Sequence, residues 1–139
     1  MKTILSIILI FLSAPSFAAL SDKVLVCRDD KDIYSAYFFD ETGYAKQYLL
    51  SKIADNFKWF LFNKLLVTSD SNTIKMKMDN LSIYFVLDRK TLIITQPGFN
   101  PEYKEICDAY STKEAEIEMQ KLKTQRQKEY NKSLEGNKI

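Results

Sequence analysis

The sequence predicts a mainly β protein, in which a small antiparallel meander forms a barrel or a sandwich and one α-helix follows at the C-terminus. Three observations indicate this class. Short segments between residues 23 and 95 alternate apolar and polar side chains, as strands with one buried face do. Residues that favour turns separate these segments. After residue 110 the apolar spacing becomes helical, and the length of 139 residues suits one compact domain.

The N-terminus has the three parts of a secretory signal peptide. Lys2 supplies the positive charge, residues 4–12 are apolar apart from one serine, and small residues precede the expected cleavage site. The apolar run is much shorter than the roughly 20 residues of a membrane-spanning helix. We therefore expect cleavage between Ala18 and Ala19, which would yield a periplasmic or secreted protein with no stable membrane anchor.

The two cysteines, Cys27 and Cys107, are expected to form a disulfide, because an exported chain folds in an oxidising compartment. The bond would join the first strand, at 23–28, to the segment after the last one. The predicted organisation is a signal peptide at 1–18, a disulfide-linked β-domain at 19–110, and a charged helix with a loose tail at 111–139.

The next strands are predicted from turns. Segments 33–39 and 44–50 flank a turn in which Gly43 takes the left-handed conformation. Residues 51–56 are assigned one helical turn. A turn at Asn63-Lys64 then divides the following apolar stretch into strands at 57–62 and 65–69. Both faces of this stretch are apolar, which indicates either strands covered on two sides or a buried helix.

The segment 73–78 alternates most clearly, so that its apolar residues share one face. A two-residue turn at Asp79-Asn80 and a four-residue turn at 88–91 lead to the two following strands. These turn lengths set the register of the meander, in which one apolar row across three strands consists of Ile74, Phe85 and Ile94.

The chain after the meander is predicted to cross irregularly and then to become helical. Residues 97–101 contain two prolines and a glycine, which stop the last strand. Ser111 and Glu114 have capping-box spacing, and the helix that they begin extends for about 23 residues to Leu134. Its apolar stripe is thin, so the helix lies on the barrel, pairs with another helix or frays in solvent. The stripe consists of Ala115, Met119, Leu122, Arg126 and Tyr130.

The composition excludes most familiar catalytic chemistry. The chain has no histidine, which removes Ser-His and Cys-His pairs and histidine zinc sites. Its three glycines form no phosphate-binding loop. The acidic run at 29–32 lacks the spacing of an EF-hand, so we expect a solvated turn and no metal. The sequence therefore predicts a non-enzymatic protein without cofactors, and a hydrolase that uses converging carboxylates is the weaker alternative.

Nucleic acid is not an expected partner. Tyr44, Lys46 and Tyr48 interleave as in strands that stack bases. However, the formal charge of +2 and the predicted export argue against such binding. Packing in a small core is the expected role of most aromatic residues.

Two features predict a binding function. The proline-bounded segment 96–103 would present its aromatic tip to another envelope or secreted protein, as an inhibitor or adaptor does; its candidate contact residues are Phe99, Asn100 and Tyr103. Phe99 would equally well plug the open end of its own barrel. Alternatively, a cavity between strands would carry a small apolar ligand. The candidate lining residues of that cavity are Phe57, Trp59, Met76 and Phe85.

The outline of the chain resembles the periplasmic inhibitors of lysozyme. The shared features are the signal peptide, the small antiparallel barrel and a cysteine in the first strand, Cys27, that is bridged near the end of the barrel. The Ser-Gly-x-x-Tyr loop which those inhibitors insert into the enzyme has no counterpart here, and the C-terminal helix is an addition. The resemblance therefore concerns architecture and transfers no site residue.

Overall fold

A computed structural model describes residues 22–78 and 82–136. The predicted signal peptide with its cleavage site, the predicted turn at Asp79-Asn80 and the end of the tail lie outside the described residues. The described residues form eight strands and one helix: β1 (Lys23–Asp29), β2 (Tyr34–Phe39), β3 (Tyr44–Ile53), β4 (Asn56–Ser69), β5 (Thr73–Met78), β6 (Tyr84–Asp88), β7 (Ile93–Gln96), β8 (Asn100–Ser111) and α1 (Thr112–Glu135).

The strands form a closed antiparallel barrel in sequence order. The predicted fold class is confirmed, and of the two predicted architectures, barrel and sandwich, the structure has the barrel. The last strand, β8, pairs with β1 and places Cys27 directly opposite Cys107. The two residues form the predicted disulfide across this closing pair of strands. Closure pairs the first and last strands with each other, so that neither is an edge strand of the sheet.

Alternation along the strands divides the apolar residues between two cores. One fills the barrel interior and includes Leu25, Tyr37 and Met76. The other lies between the outside of the barrel and α1, where Val24 and Val26 of the first strand contact the helix residues Ala115, Met119 and Leu122. Because β1 is covered on both faces, four consecutive residues of this strand are buried.

The turn predicted at Asn63-Lys64 and the helical turn predicted at 51–56 are both wrong. The segment 56–69 is one strand, in which Phe62 is an extra residue opposite the Gln47–Tyr48 step of β3. Such a β-bulge absorbs one residue without ending the strand. Strand β3 continues to Ile53, and a two-residue turn follows, in which Ala54 takes a left-handed φ of 55°.

The predicted register of the meander is wrong by two residues at both hairpins. Met76 pairs with Phe85, and Ile74 pairs with Leu87. The observed apolar row is therefore Ile74, Leu87 and Ile94. At the second hairpin, Leu92 has a left-handed φ of 56° and remains in the turn, so β7 begins one residue later than expected. A shift of two residues keeps every side chain on its predicted face.

The segment after β7 is a hairpin, and the predicted irregular crossing is wrong. Residues 97–99 form a short turn in which Gly98 has a φ of 79°. Strand β8 begins at Asn100 and accommodates Pro101 at its second position, near the start of the strand, where proline is tolerated. The register of this hairpin shifts between Thr95, which pairs with Lys104, and Gln96, which pairs with Asn100.

The helix docks on the barrel along its predicted stripe. Trp59 of β4 donates a hydrogen bond from its indole nitrogen to the carbonyl oxygen of Met119, at 2.9 Å.

Beyond the buried part of the stripe, polar contacts replace apolar ones. Gln127 donates to the carbonyl oxygen of Asp55, and the Tyr130 hydroxyl donates to the Asp55 carboxylate. Arg126 donates to the carbonyl oxygen of Asp32. The helix therefore holds the tips of two hairpins.

We expect Ser111→Ala to lower the free energy of unfolding by about 1 kcal/mol. The predicted capping box is present: the Ser111 hydroxyl accepts a hydrogen bond from the backbone N–H of Glu114, and the Glu114 side chain accepts one from the backbone N–H of Ser111. Equilibrium urea denaturation measures the loss. Thr112→Ala at the first helical position is the control, and an equal loss in both variants would contradict the capping role.

Candidate functional site

One end of the barrel, here called the open end, is formed by alternate hairpins of the meander. The β1–β2, β3–β4 and β7–β8 turns lie at this end because the strands are antiparallel and follow sequence order. Strand β4 also extends beyond β5 here, since the last residue of β5, Met78, pairs with Leu65. The large apolar side chains exposed at the open end include Ile33, Ile53, Phe62 and Phe99.

A buried carboxyl group lies inside the barrel near the open end. Glu105 of β8 pairs with Asp29, the last residue of β1, and only 2% of its surface is exposed. The hydroxyl of Ser35 donates to one carboxyl oxygen of Glu105, and the hydroxyl of Tyr37 donates to the other at 2.6 Å. Both donors lie on β2, whose inward side chains face the interior. Glu105 is thus held by hydroxyl groups.

A chain of amide groups extends this network across the interior. Gln47 of β3 donates to the Tyr37 hydroxyl at 3.0 Å. Asn63 of β4 donates in turn to the side-chain oxygen of Gln47 at 2.9 Å. Every donor in this series points toward Glu105, so the dipoles together favour negative charge on its carboxyl group.

The pKa of Glu105 is raised above its usual value because burial removes the carboxylate from water. Hydrogen bonds from Ser35, Tyr37 and Tyr103 oppose this rise, and the nearby charge of Asp29 adds to it. Burial, and next the charge of Glu105, raise the pKa of the Tyr37 phenol, so this hydroxyl remains a donor.

A hydrolase that uses converging carboxylates needs two carboxyl groups close together. Asp29 and Glu105, which are paired across β1 and β8, are such neighbours. Asp29 accepts hydrogen bonds from the backbone N–H groups of Lys31 and Ile33, at 2.8 and 2.9 Å. Its carboxylate therefore shapes the β1–β2 turn, as expected of a solvated turn at 29–32. Glu105 is enclosed by the barrel wall.

The three residues predicted to contact a partner are divided between the surface and the interior. Phe99 is 64% exposed at the hairpin tip, and Asn100 beside it is exposed. Tyr103 is half-buried and packs against the interior core, where its ring centre lies 5.9 Å from that of Phe85. Phe99 and Asn100 are therefore available at the open end, while Tyr103 closes the interior beneath them.

The four residues predicted to line one cavity lie on opposite faces of the sheet. Met76 and Phe85 are buried in the barrel interior. Phe57 and Trp59 pack outside the barrel, under the helix. A single cavity between these residues is excluded, because the hydrogen-bonded sheet separates them. Grooves of about 290, 300, 410 and 490 Å³ open beside the helix, outside the barrel.

Sequence reasoning missed Glu105, although the sequence contains a signal for it. Residues two apart on a strand share a face. Once 100–111 is recognised as a strand, an inward Cys107 implies that Glu105 and Tyr103 also point inward. The prolines at 97 and 101 instead indicate a loop, in which side chains do not alternate between two faces.

The fold and the site define a disulfide-linked, eight-stranded antiparallel barrel with an external helix and an enclosed carboxyl group. The chain matches no protein-family model, no curated protein and no solved structure. Within residues 22–78 and 82–136, no helix is long and apolar enough to cross a bilayer. In the same described residues, no three acidic, histidine or cysteine side chains are grouped to hold a metal ion.

Proposed function

We propose that this chain is an exported, non-enzymatic binding protein, of inhibitor or adaptor type, which contacts another envelope or secreted protein through the open end of its barrel. The observation that carries the proposal is the exposure of large apolar side chains from several hairpins at one end. These side chains include Ile33, Ile53, Phe62 and Phe99. Apolar side chains grouped in this way mark interaction surfaces.

Two of the hairpins that carry these side chains are held by the helix, which supports a preformed binding surface. Gln127 of the helix accepts a hydrogen bond from the backbone N–H of Phe57 and donates one to the carbonyl oxygen of Asp55. Arg126 holds the β1–β2 turn through Asp32. A surface that is already ordered loses little conformational entropy when a partner binds.

A carrier of a small apolar ligand is supported less well than a protein-binding role. The barrel interior is filled by side chains that are fully buried, among them Leu65, Ile74 and Met76. An eight-stranded barrel is wide enough either for such side chains or for one small ligand. The side chains of this barrel occupy that space themselves.

Export is part of the proposal. The disulfide between Cys27 and Cys107 supports an oxidising compartment, because such bonds persist outside the reducing cytosol. The signal-peptide pattern before Ala19 supports the same location, and N-terminal sequencing of the protein from its host tests the cleavage site directly.

Site-specific photo-crosslinking tests the binding face. A photoreactive phenylalanine analogue replaces Phe99 in one variant and Ile117 in another, and both variants are expressed in the native host. The two native side chains are equally exposed, at 64%, but Ile117 lies on the helix. We expect a single defined adduct from position 99 and none from position 117. Equal labelling from both positions, or none from either, would contradict docking through the open end.

Once mass spectrometry has identified that adduct, we expect Phe99→Ser to weaken binding by about 30-fold, because exposed aromatic anchors contribute most to such interfaces. The stability of the variant should change by no more than about 0.5 kcal/mol, since the side chain is exposed. Ile117→Ser is the matched control. Isothermal titration with the identified partner measures the difference, and equal affinities of the two variants would exclude Phe99 as a contact.

A further inference from the structure

The charges on the barrel wall are strongly segregated. Strands β3, β4 and β5 contain no aspartate or glutamate at all. Four exposed lysines lie on the outward face of these strands, away from the helix, and we call them the lysine wall. They are Lys46, Lys64, Lys75 and Lys77.

The register places these lysines next to one another. Lys46 of β3 lies directly opposite Lys64 of β4. Lys77 of β5 lies opposite Leu66, which is two residues beyond Lys64 on the same face of β4. Adjacent strands are about 4.8 Å apart, so the wall is a compact patch. Like charges placed directly opposite each other destabilise a sheet, and this cost is offset when an anion binds.

Two tyrosines hold lysine side chains against the wall. The Lys64 ammonium lies 4.5 Å from the ring centre of Tyr44, and the Lys75 ammonium lies 4.0 Å from that of Tyr84. These cation–π contacts cover the ring faces on which a nucleic-acid base would have to stack. The ammonium groups of these lysines therefore face outward, above the tyrosine rings.

Acidic groups lie at the border of the wall and are engaged in turns. Asp40 is the acid whose charge interacts with Lys64, and its carboxylate accepts hydrogen bonds from Thr42 and Tyr44. Asp70 and Asp88 similarly cap the turns that follow β4 and β6. The ion pairs seen among the described residues, Arg28–Asp32 and Arg126–Glu129, lie elsewhere.

We propose that the lysine wall binds the anionic headgroups of a phospholipid membrane, so that the protein associates peripherally with a membrane surface. The wall belongs to the convex outside of a barrel, and the grooves beside the helix are lined by other residues. A basic patch that is not part of any of these four grooves presents its charges to an extended anionic surface rather than enclosing a peptide. Lysines close to such a surface are attracted by its negative potential, and tyrosines favour the interface.

This inference is independent of the proposed protein partner, because the lysine wall and the open end use different residues. Membrane association through the wall would leave the apolar side chains of the open end, such as Phe99, accessible. The protein would then present its binding end while it is held at a surface. Failure of either proposal leaves the other intact.

Vesicle sedimentation tests the inference. The oxidised protein is mixed at low ionic strength with phosphatidylcholine vesicles that contain either no phosphatidylglycerol or 30% of this anionic lipid. We expect binding only to the anionic vesicles, and release in 1 M salt. The quadruple variant Lys46→Gln, Lys64→Gln, Lys75→Gln and Lys77→Gln should bind at least about 100-fold more weakly.

A second quadruple variant removes the same charge from the helix: Lys113→Gln, Lys121→Gln, Lys128→Gln and Lys132→Gln. All of these residues are exposed. It should bind anionic vesicles as the unmodified protein does. Equal weakening in both variants would overturn the proposal, since net charge alone would then explain binding. Absence of vesicle binding by the unmodified protein would also overturn the proposal. If the unmodified protein then binds polyglutamate, the lysine wall would be assigned to an acidic macromolecule instead.

Discussion

The double variant Cys27→Ala and Cys107→Ala is expected to lose about 4 kcal/mol of its free energy of unfolding, which would be the largest effect of any change considered for this protein. The bond closes a loop with a sequence separation of 80 residues and joins the two strands that complete the barrel. Without it, the unfolded chain gains conformational freedom. Alanine is chosen because both positions are buried, so that a serine hydroxyl would lack water.

Equilibrium urea denaturation with and without reductant measures this effect. Reduction should lower the midpoint of the unmodified protein toward that of the variant, and it should leave the variant itself unchanged. A variant midpoint equal to that of the oxidised protein would show that strand pairing alone closes the barrel. Far-UV circular dichroism before denaturation establishes whether the variant retains its strands.

Glu105→Gln is expected to flatten the dependence of stability on pH in the range above pH 4.5. Because burial raises the pKa of Glu105 above its ordinary value of 4.5, the folded protein keeps a proton that the unfolded chain has released. The free energy of unfolding therefore falls as the pH rises from the unfolded pKa through the folded one, by up to about 1.4 kcal/mol for each pH unit. Glutamine has no such proton, so the variant lacks this decline.

The measurement is the difference in unfolding free energy between the variant and the unmodified protein at each pH from 4 to 8. Asp40, Asp70 and Asp88 have lowered pKa values because of hydrogen bonds to turn residues. The stability that they contribute is lost only as the pH falls below their ordinary pKa of 3.8, and it cancels in the difference. Parallel profiles between pH 4.5 and pH 7 would contradict the buried, titrating carboxyl group.

Tyr37→Phe is the companion variant for this network. It removes a donor that lowers the pKa of Glu105, so the decline in stability should extend to higher pH. It also leaves the buried side-chain N–H of Gln47 without its acceptor, which should cost about 1 to 3 kcal/mol near neutral pH. If the stability profile of Tyr37→Phe is shifted to higher pH as well as lowered, the hydroxyl acts electrostatically on Glu105. A profile that is lowered without a shift would indicate a loss of packing alone.

Local patterns predicted most elements of the fold but not their pairing. The alternation in 73–78 predicted the face on which Met76 is buried, and the spacing of Ser111 and Glu114 predicted the start of the helix. The register around Phe85 was wrong because turn length was inferred from residue type alone. The bulge at Phe62 was missed because nothing in one strand reveals an extra residue opposite its neighbour.

In the candidate site, too, some features follow from the sequence and others only from the fold. The sequence places Phe99 near the tip of its segment and leaves open whether it faces a partner or plugs the barrel; the structure shows that it is exposed. Trp59 and Met76 were assigned to one cavity because both are large and apolar, whereas the sheet separates them. The position of Trp59 depends on where the helix lies, and a thin stripe of apolar residues does not determine which strand it will cover.

The sequence by itself determined the mainly β class, the disulfide partners and the limits of the helix, because alternation, cysteine count and capping spacing are properties of neighbouring residues or of the whole composition. Only the tertiary structure decided that the meander closes into a barrel, that Glu105 is enclosed among hydroxyl groups, and that four lysines form one wall. These features depend on register and closure, which bring together residues far apart in the chain.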